Sequence, residues 1–289
     1  MLHLEQSEYK RSNIKMEKLL QTNEEERKGG SHRLKTLFAR KEKNILNVYC
    51  TAGFPQLQST LSVMLALQNA GADIIELGMP YSDPLADGPV IQASSARALQ
   101  NGMSIAKLFE QLKNFRSTIH LPVVLMGYLN PLLQYGFEKF CKLAAETGVD
   151  ALIIPDIPMF EFEREYRDIV NRHGLDFIFL VTPETSEERI RKLDELSSGF
   201  LYAVSSSSLT GSDKDFSTVE NYLKQLKSMK LNNPVLVGFG IKDKQTFDSA
   251  CSFANGAIIG SAYIQALEKS ENIEEATRNF IDGVRGVEV

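Results

Sequence analysis

Short apolar runs alternate with longer amphipathic stretches along most of this chain, and that alternation leaves few folds open. Residues 45–51, 73–78, 122–127, 151–155, 176–182, 200–204, 234–238 and 256–259 read as eight strands. Each is bounded by Gly, Pro, Asn, Asp or Ser and is too short for an ordinary helix. Each is followed by helical spacing: 57–70, 104–117, 137–147, 160–173, 186–196, 217–229, 243–250 and a last stretch to about 284. Gly71, Gly148 and Gly174 stand where three of these helices stop, and Ser104 and Ser186 where two begin. Strands that are apolar nearly throughout are buried on both faces, as in a parallel sheet covered by helices. Eight such units predict an α/β protein, a single-domain (β/α)8 TIM barrel. A doubly wound open sheet is the alternative, but the first βα turn, Thr51-Ala52-Gly53-Phe54-Pro55, lacks GxGxxG. Leu34, Leu37 and Phe38 have helical spacing and predict an N-terminal closing helix under the barrel.

With 289 residues the chain has room for one such barrel, over 33–289. Residues 1–32 read as a polar N-terminal extension, disordered or a frayed helix, ending linker-like in Glu24-Glu25-Glu26-Arg27-Lys28-Gly29-Gly30-Ser31. A net charge of −5 argues against nucleic acid or an anionic membrane as partner. No apolar run reaches the roughly 20 residues of a membrane span, and the first residues lack a signal-peptide core. Three scattered cysteines without a CxxC pair fit a reducing, cytoplasmic setting.

The second strand carries an acid. Alternation of side chains puts Ile74 and Glu76 toward the lumen and Ile75 and Leu77 toward the helices. A carboxylate there is costly unless paired or functional, and burial would raise its pKa into the range of proton transfer near neutrality. A neighbouring donor that satisfies Glu76, or a register one residue different, would make it merely structural. The next stretch, Gly78-Met79-Pro80-Tyr81-Ser82-Asp83-Pro84-Leu85-Ala86-Asp87-Gly88-Pro89, is stiffened by three prolines. Asp83 and Asp87 are common turn residues, yet a rigid loop can also present a carboxylate reproducibly. His32 and His120 have no metal-ligand spacing with them, so no metal is expected.

At the other end, Gly238-Phe239-Gly240 follows the seventh strand, and Gly260-Ser261-Ala262 follows the eighth and opens a helix. Glycines there let backbone approach a ligand, and a helix N-terminus offers free N–H groups, so this is a candidate phosphate site. Residues 205–215, Ser- and Gly-rich, read either as a solvated linker or as a lid, with Thr210 and Gly211 adding phosphate contacts. Tyr49 and Thr51 share a face of the first strand, Tyr128 follows the third and Tyr202 lies on the sixth. Such residues fill cores, and they equally suit a slot for a flat ring.

The stretch from Glu76 to Pro89 resembles the signature of the tryptophan synthase α subunit family. The resemblance runs on through Met126-Gly127-Tyr128-Leu129-Asn130-Pro131, Pro155-Asp156-Ile157-Pro158, Gly238-Phe239-Gly240-Ile241 and Gly260-Ser261-Ala262, covering roughly residue 34 to the end. It implies retro-aldol cleavage of indole-3-glycerol phosphate to indole and glyceraldehyde 3-phosphate, late in L-tryptophan biosynthesis. It implies Glu76 as the acid/base and Asp87 as acceptor of the indole N–H. Tyr49, Ile91, Tyr128 and Tyr202, with Thr51 beside them, would line the indole slot. Gly211, Phe239, Gly240, Gly260 and Ser261, with Thr210, would hold the phosphate. The subunit would carry no cofactor. Its partner would be a pyridoxal-phosphate β subunit in an αββα heterotetramer, met through Pro80, Ser82, Asp83, Pro84, Asn130, Pro131, Asp156 and Pro158. Two departures stand out. The loop reads Ser205-Ser206-Ser207-Ser208-Leu209-Thr210-Gly211 where many members carry an Arg, and the N-terminal extension exceeds the usual short start. Competing expectations are a stand-alone indole-releasing lyase and an α subunit that only activates β. A different aldolase or isomerase on this barrel lacks the Lys or metal ligands such enzymes often use.

Overall fold

The structure is a computed structural model that describes residues 31–204, 216–238 and 240–287. The expected extension therefore lies, up to residue 30, outside the described residues.

Nine strands form one parallel sheet in the order β5-β4-β3-β2-β1-β9-β8-β7-β6. They are β1 (Ile45–Thr51), β2 (Ile74–Gly78), β3 (Val123–Met126), β4 (Ala151–Ile153), β5 (Asp176–Ile178), β6 (Leu180–Val181), β7 (Leu201–Val204), β8 (Val235–Gly238) and β9 (Gly256–Ile259). The two ends of the order, β5 and β6, are one stave interrupted at Phe179. The Phe177 carbonyl accepts from Ser198 N at 2.9 Å and the Phe179 carbonyl from Tyr202 N at 3.0 Å. The ring thus has eight staves, as the sequence implies. Every residue of β1 and β2 is buried, the mark of a sheet covered on both faces.

Two apolar layers divide the core. Ile45, Ile74, Val124, Ala151, Ile153, Ile178, Phe200, Leu236 and Ile258 fill the lumen, and Leu34 of the helix Ser31–Arg40 plugs it from below. That is the closing helix expected from Leu34, Leu37 and Phe38. Ile75, Leu77, Leu125, Leu152 and Phe177 point the other way, under the surrounding helices.

Helix ends follow local chemistry. Gly71 and Gly148 take left-handed φ values of 93° and 94° after the helices Ser59–Ala70 and Phe137–Thr147. Ser104 and Ser186 accept from the backbone N–H of Lys107 and Arg189. The expected helix 104–117 is shorter: Ile105–Leu112 is α-helical, and a 3-10 turn follows at Phe115–Ser117. The expected helix 160–173 begins at Met159 and includes a π turn over Phe162–Tyr166. Two helices, Pro89–Gln100 and Leu129–Tyr135, lie where the sequence predicts only loop.

Candidate active site

Glu76 stands on β2 opposite Tyr49 of β1, near the C-terminal ends of the strands. It is 1% exposed. Its Oε2 accepts a hydrogen bond from Asn47 Nδ2 at 2.7 Å, while its Oε1 has no hydrogen-bond partner among the described residues. Burial pushes Glu76 up to about 8; the Asn47 bond opposes this and the charge of Asp87 adds to it.

Asp87 is half-buried in the loop after β2. Its own N–H donates to the Pro84 carbonyl at 3.1 Å, and its carbonyl accepts from Gln92 Nε2 at 2.8 Å. Tyr128 Oη accepts from Ala86 N at 3.0 Å and braces the loop from the β3 side. Burial pushes Asp87 up to about 6, opposed by a hydrogen bond with Tyr128. The proline-stiffened loop thus fixes a carboxylate, and Pro89 adds the first residue of the helix Pro89–Gln100. The two acids feel one another, and their environments set their proton affinities about two pH units apart.

Two tyrosines close in on this pair. The side chain of Tyr49 covers Gly78, where a Cβ would lie 2.0 Å from its Oη. The ring of Tyr202 covers Gly238, where a Cβ would lie 2.3 Å from Cε1. Burial, reinforced by the charges of Glu76 and Asp87, holds both phenols well above the ordinary tyrosine value, so they remain neutral donors. Ile91 approaches from the helix Pro89–Gln100. A Cβ on Gly260 would meet Tyr49 Cβ at 3.5 Å and Ile91 Cδ1 at 3.6 Å. Tyr49 and Ile91 thus meet at Gly260, and Tyr202 lies near enough to Tyr49, Glu76 and Asp87 to couple to them electrostatically. Thr51 is buried, and its hydroxyl is engaged with Ser94 Oγ at 2.7 Å.

Gly260 caps the helix Ser261–Glu268, and Ser261 is exposed at its first position. The first N–H groups of a helix have no intrahelical acceptors and are aimed at whatever lies before it. Gly240 is exposed with φ +49°. Thr210, Gly211 and Phe239 lie outside the described residues, as does the loop 205–215.

On the rim, Tyr81 and Tyr128 stack with ring centroids 5.4 Å apart. Asn130 Nδ2 donates to Tyr81 Oη at 3.3 Å, and Leu129 N donates to Asp156 Oδ1 at 2.9 Å. These bonds join the loops that carry Pro80, Ser82, Asp83, Pro84, Asn130, Pro131, Asp156 and Pro158 into one surface. Three large apolar side chains of the same loops and helices are exposed: Leu85 at 87%, Leu133 at 46% and Phe160 at 65%.

Sequence reasoning misses Asn47 and Ser94, and it misses that Gly78 and Gly238 lie under tyrosine side chains. Asn47 had a signal, being an amide inside an apolar run on the face of Tyr49 and Thr51. The glycines had no signal for that role, since it depends on a tyrosine side chain from another strand. Among the described residues no group of three or more His, Cys, Asp or Glu could hold a metal ion. None of the described helices is long and apolar enough to cross a membrane.

Comparison with known proteins agrees with this geometry. A family model described as "Tryptophan synthase alpha chain" matches residues 34–288. The tryptophan synthase alpha chain of Flavobacterium psychrophilum is 49% identical over 84% of this chain and 96% of that protein. That of Parabacteroides distasonis is 48% identical over 88% and 99%. Among solved structures, tryptophan synthase subunit alpha from Legionella pneumophila superposes with TM-score 0.79 at 35% identity, covering 88% of this chain and 96% of that one. A chain of the tryptophan synthase complex from Pyrococcus furiosus superposes with TM-score 0.78 at 35% identity, covering 86% and 100%. With its signature loop, its barrel and these relatives in accord, the chain belongs to the tryptophan synthase alpha chain family.

Proposed function

We propose that Glu76 and Asp87 are the two working carboxylates of this family's reaction. The chain is a carbon–carbon lyase that cleaves indole-3-glycerol phosphate to indole and glyceraldehyde 3-phosphate. The observation that carries the assignment is the buried carboxyl of Glu76, held by one oxygen and bare at the other, beside a second acid of different proton affinity.

The chemistry follows from these affinities. Held up to about 8, Glu76 starts protonated near pH 7 and can deliver its proton to C3 of the indole ring. Positive charge then develops at the ring nitrogen. Asp87, held up to only about 6, is largely ionised at that pH and accepts the N–H, stabilising the charge. The Glu76 carboxylate next takes the proton of the glycerol hydroxyl on the carbon bonded to C3. That oxygen forms the aldehyde carbonyl, the carbon–carbon bond breaks, and its electron pair returns to the ring and neutralises the nitrogen. The net change moves one proton from oxygen to C3 and leaves Glu76 as it began.

The aromatic pair Tyr49 and Tyr202, with Ile91, forms the walls of the indole slot. Tyr128 acts one step back by bracing the Asp87 loop, and Thr51 supports the slot through Ser94. Gly240, Gly260 and Ser261 hold the phosphate through backbone N–H groups, joined by Thr210, Gly211 and Phe239. No cofactor is assigned to this chain, and residues 33–289 are taken as one catalytic domain. Its free cysteines, all buried, fit the cytoplasm.

The rim from Pro80 to Pro84 with Asn130, Pro131, Asp156 and Pro158 is the face for a pyridoxal-phosphate β subunit in an αββα heterotetramer. Leu85, Leu133 and Phe160 give it the exposed apolar area that an interface core needs. Steady-state cleavage measured with and without β tests the whole assignment. Glu76→Gln is expected to abolish cleavage and keep β binding, and Asp87→Asn to cut turnover strongly. Wild-type turnover in Glu76→Gln would overturn the acid/base role, and equal high activity without β would point to a stand-alone lyase.

A further inference from the structure

Asn47 is fully buried on β1, on the lumen face and one inward-facing position before Tyr49. Its side chain is part of the wall under the two acids. Nδ2 lies 2.7 Å from Glu76 Oε2. Its own Oδ1 has no hydrogen-bond partner among the described residues, and neither does Glu76 Oε1. A buried amide with one half used is costly, and the neighbouring lumen positions Ile45, Ile74 and Ile258 are all apolar. An aliphatic residue at 47 would pack without that cost. The amide therefore needs a reason, and the carboxyl it touches supplies one.

We propose that Asn47 is a positioning residue for Glu76, pairing with this carboxyl in both of its protonation states. The proposal rests on Glu76 being the acid/base. With Glu76 ionised, Nδ2 donates to Oε2. With the proton on Oε1, the oxygen left free for the substrate, Oε2 is the carbonyl oxygen and still accepts from Nδ2. One fixed donor therefore serves both forms and keeps the transferable proton on Oε1. The reaction takes Glu76 through both forms in every turnover.

The amide also opposes the effect of burial on Glu76, because its donor favours the charged form. Other groups whose charge or ionisation couples to Glu76 are Tyr49 and Cys50 on β1, Asp87 in the loop after β2, and Tyr202 on β7. The three neutral ones are held protonated by burial, so Asp87 is the one other group among them that titrates in the working range.

The test uses the full chain and two variants, Asn47→Leu and Asn47→Val. Glu76 is followed by NMR of glutamate labelled at the carboxyl carbon, assigned by loss of its signal in Glu76→Gln. Loss of the donor is expected to raise the Glu76 midpoint by about one pH unit or more. It is also expected to lower kcat roughly 10- to 100-fold with little change in KM, since substrate contacts stay in place. The alkaline limb of kcat for the proton-donating step should move with the midpoint. In the wild type, the Asn47 side-chain amide resonances should titrate with the Glu76 midpoint, a reading that needs no variant to fold. A midpoint unmoved in a folded variant, or amide resonances blind to the titration of Glu76, would overturn the proposal. Turnover surviving in Glu76→Gln would instead remove the acid/base role, while the midpoint shift would still report the pairing.

Discussion

Replacing Glu76 by Gln is predicted to stabilise the protein at neutral pH while removing its activity. The ordinary carboxyl value is 4.5 and burial lifts Glu76 to about 8 in the folded chain. Below pH 4.5 the group is protonated both folded and unfolded, and folding carries no penalty from it. Between 4.5 and about 8 the unfolded chain releases the proton and the folded chain keeps it, so stability is lost as pH rises. Above about 8 the loss is complete. At 1.36 kcal/mol per pH unit the ceiling is about 5 kcal/mol, and the loss at pH 7 is about 3 kcal/mol. Gln cannot ionise, matches the neutral acid in shape, and can still accept from Asn47 Nδ2. Urea midpoints and Tm of wild type and Glu76→Gln, measured in parallel from pH 4.5 to 8.5, isolate the effect because other titrating groups cancel. The variant's advantage should be under about 1 kcal/mol near pH 5 and grow by several kcal/mol toward pH 8. A difference independent of pH, or a variant less stable than wild type at pH 8, would refute the claim that burial strains this carboxyl.

Gly78→Ala places a methyl 2.0 Å from Tyr49 Oη, and Tyr49 must retreat by roughly 1 Å; a misplacement of that size costs on the order of 10²-fold in kcat/KM. Tyr49→Phe in the same chain removes Oη but leaves Cζ at 2.4 Å, so it restores only part of the stability lost in Gly78→Ala, read as Tm. Asp150→Ala strands the guanidiniums of Arg33 and Arg116, both paired to a carboxylate that is itself fully buried, and should cost about 3–5 kcal/mol in urea unfolding without lowering kcat of the folded fraction. Leu85→Asp puts a charge on the most exposed of the rim's large apolar residues and should weaken β binding at least about tenfold by calorimetry; unchanged affinity would remove Leu85 from the interface.

The sequence announces what depends on periodicity and hides what depends on contact between distant segments. The staves were legible because each is a short apolar run, and Glu76 because a charge inside such a run is conspicuous. The helix Pro89–Gln100 was not, because it buries Ile91, Ser94, Ser95 and Ala98, a face of mostly small or polar side chains. Its one local signal was Pro89 in the first turn, where proline fits a helix start but reads equally as a loop residue. The helix Leu129–Tyr135 is too short to show a period. The break at Phe179 divides one stave without altering its apolar pattern. Glu76 and Asp87 were both visible as acids, but their different proton affinities come from depth of burial and from Asn47 and Tyr128, which reach them from β1 and from the loop after β3. Gly238 was legible only as part of a glycine pair and Gly78 only as the start of the loop, since their packing role depends on the ring of a tyrosine on a neighbouring strand.

The segment from Asp73 through β2 shows how one short stretch serves both ends of the barrel. Asp73, just before the strand, accepts from Lys41 Nζ at 2.5 Å, Arg285 Nη2 at 2.7 Å and Leu46 N at 2.8 Å. It thereby ties the segment after the first helix and the end of the last helix to the bottom of the sheet. Three residues later, Glu76 has one neutral amide as its partner and one bare oxygen. Asp73 keeps some exposure, 15% of its side chain, and has two cations, so its charge is offset. Glu76 has neither, and the difference is about 1.5 strand repeats of distance along the same backbone. A net stability of about 5–15 kcal/mol cannot carry many groups like Glu76. One such group is tolerable because the lumen beneath it, apart from Asn47, is packed with apolar side chains and the helices at the bottom are pinned by paired acids. Neutralising Asp73 and neutralising Glu76 should therefore move stability in opposite directions, although both remove a carboxylate from the same short segment.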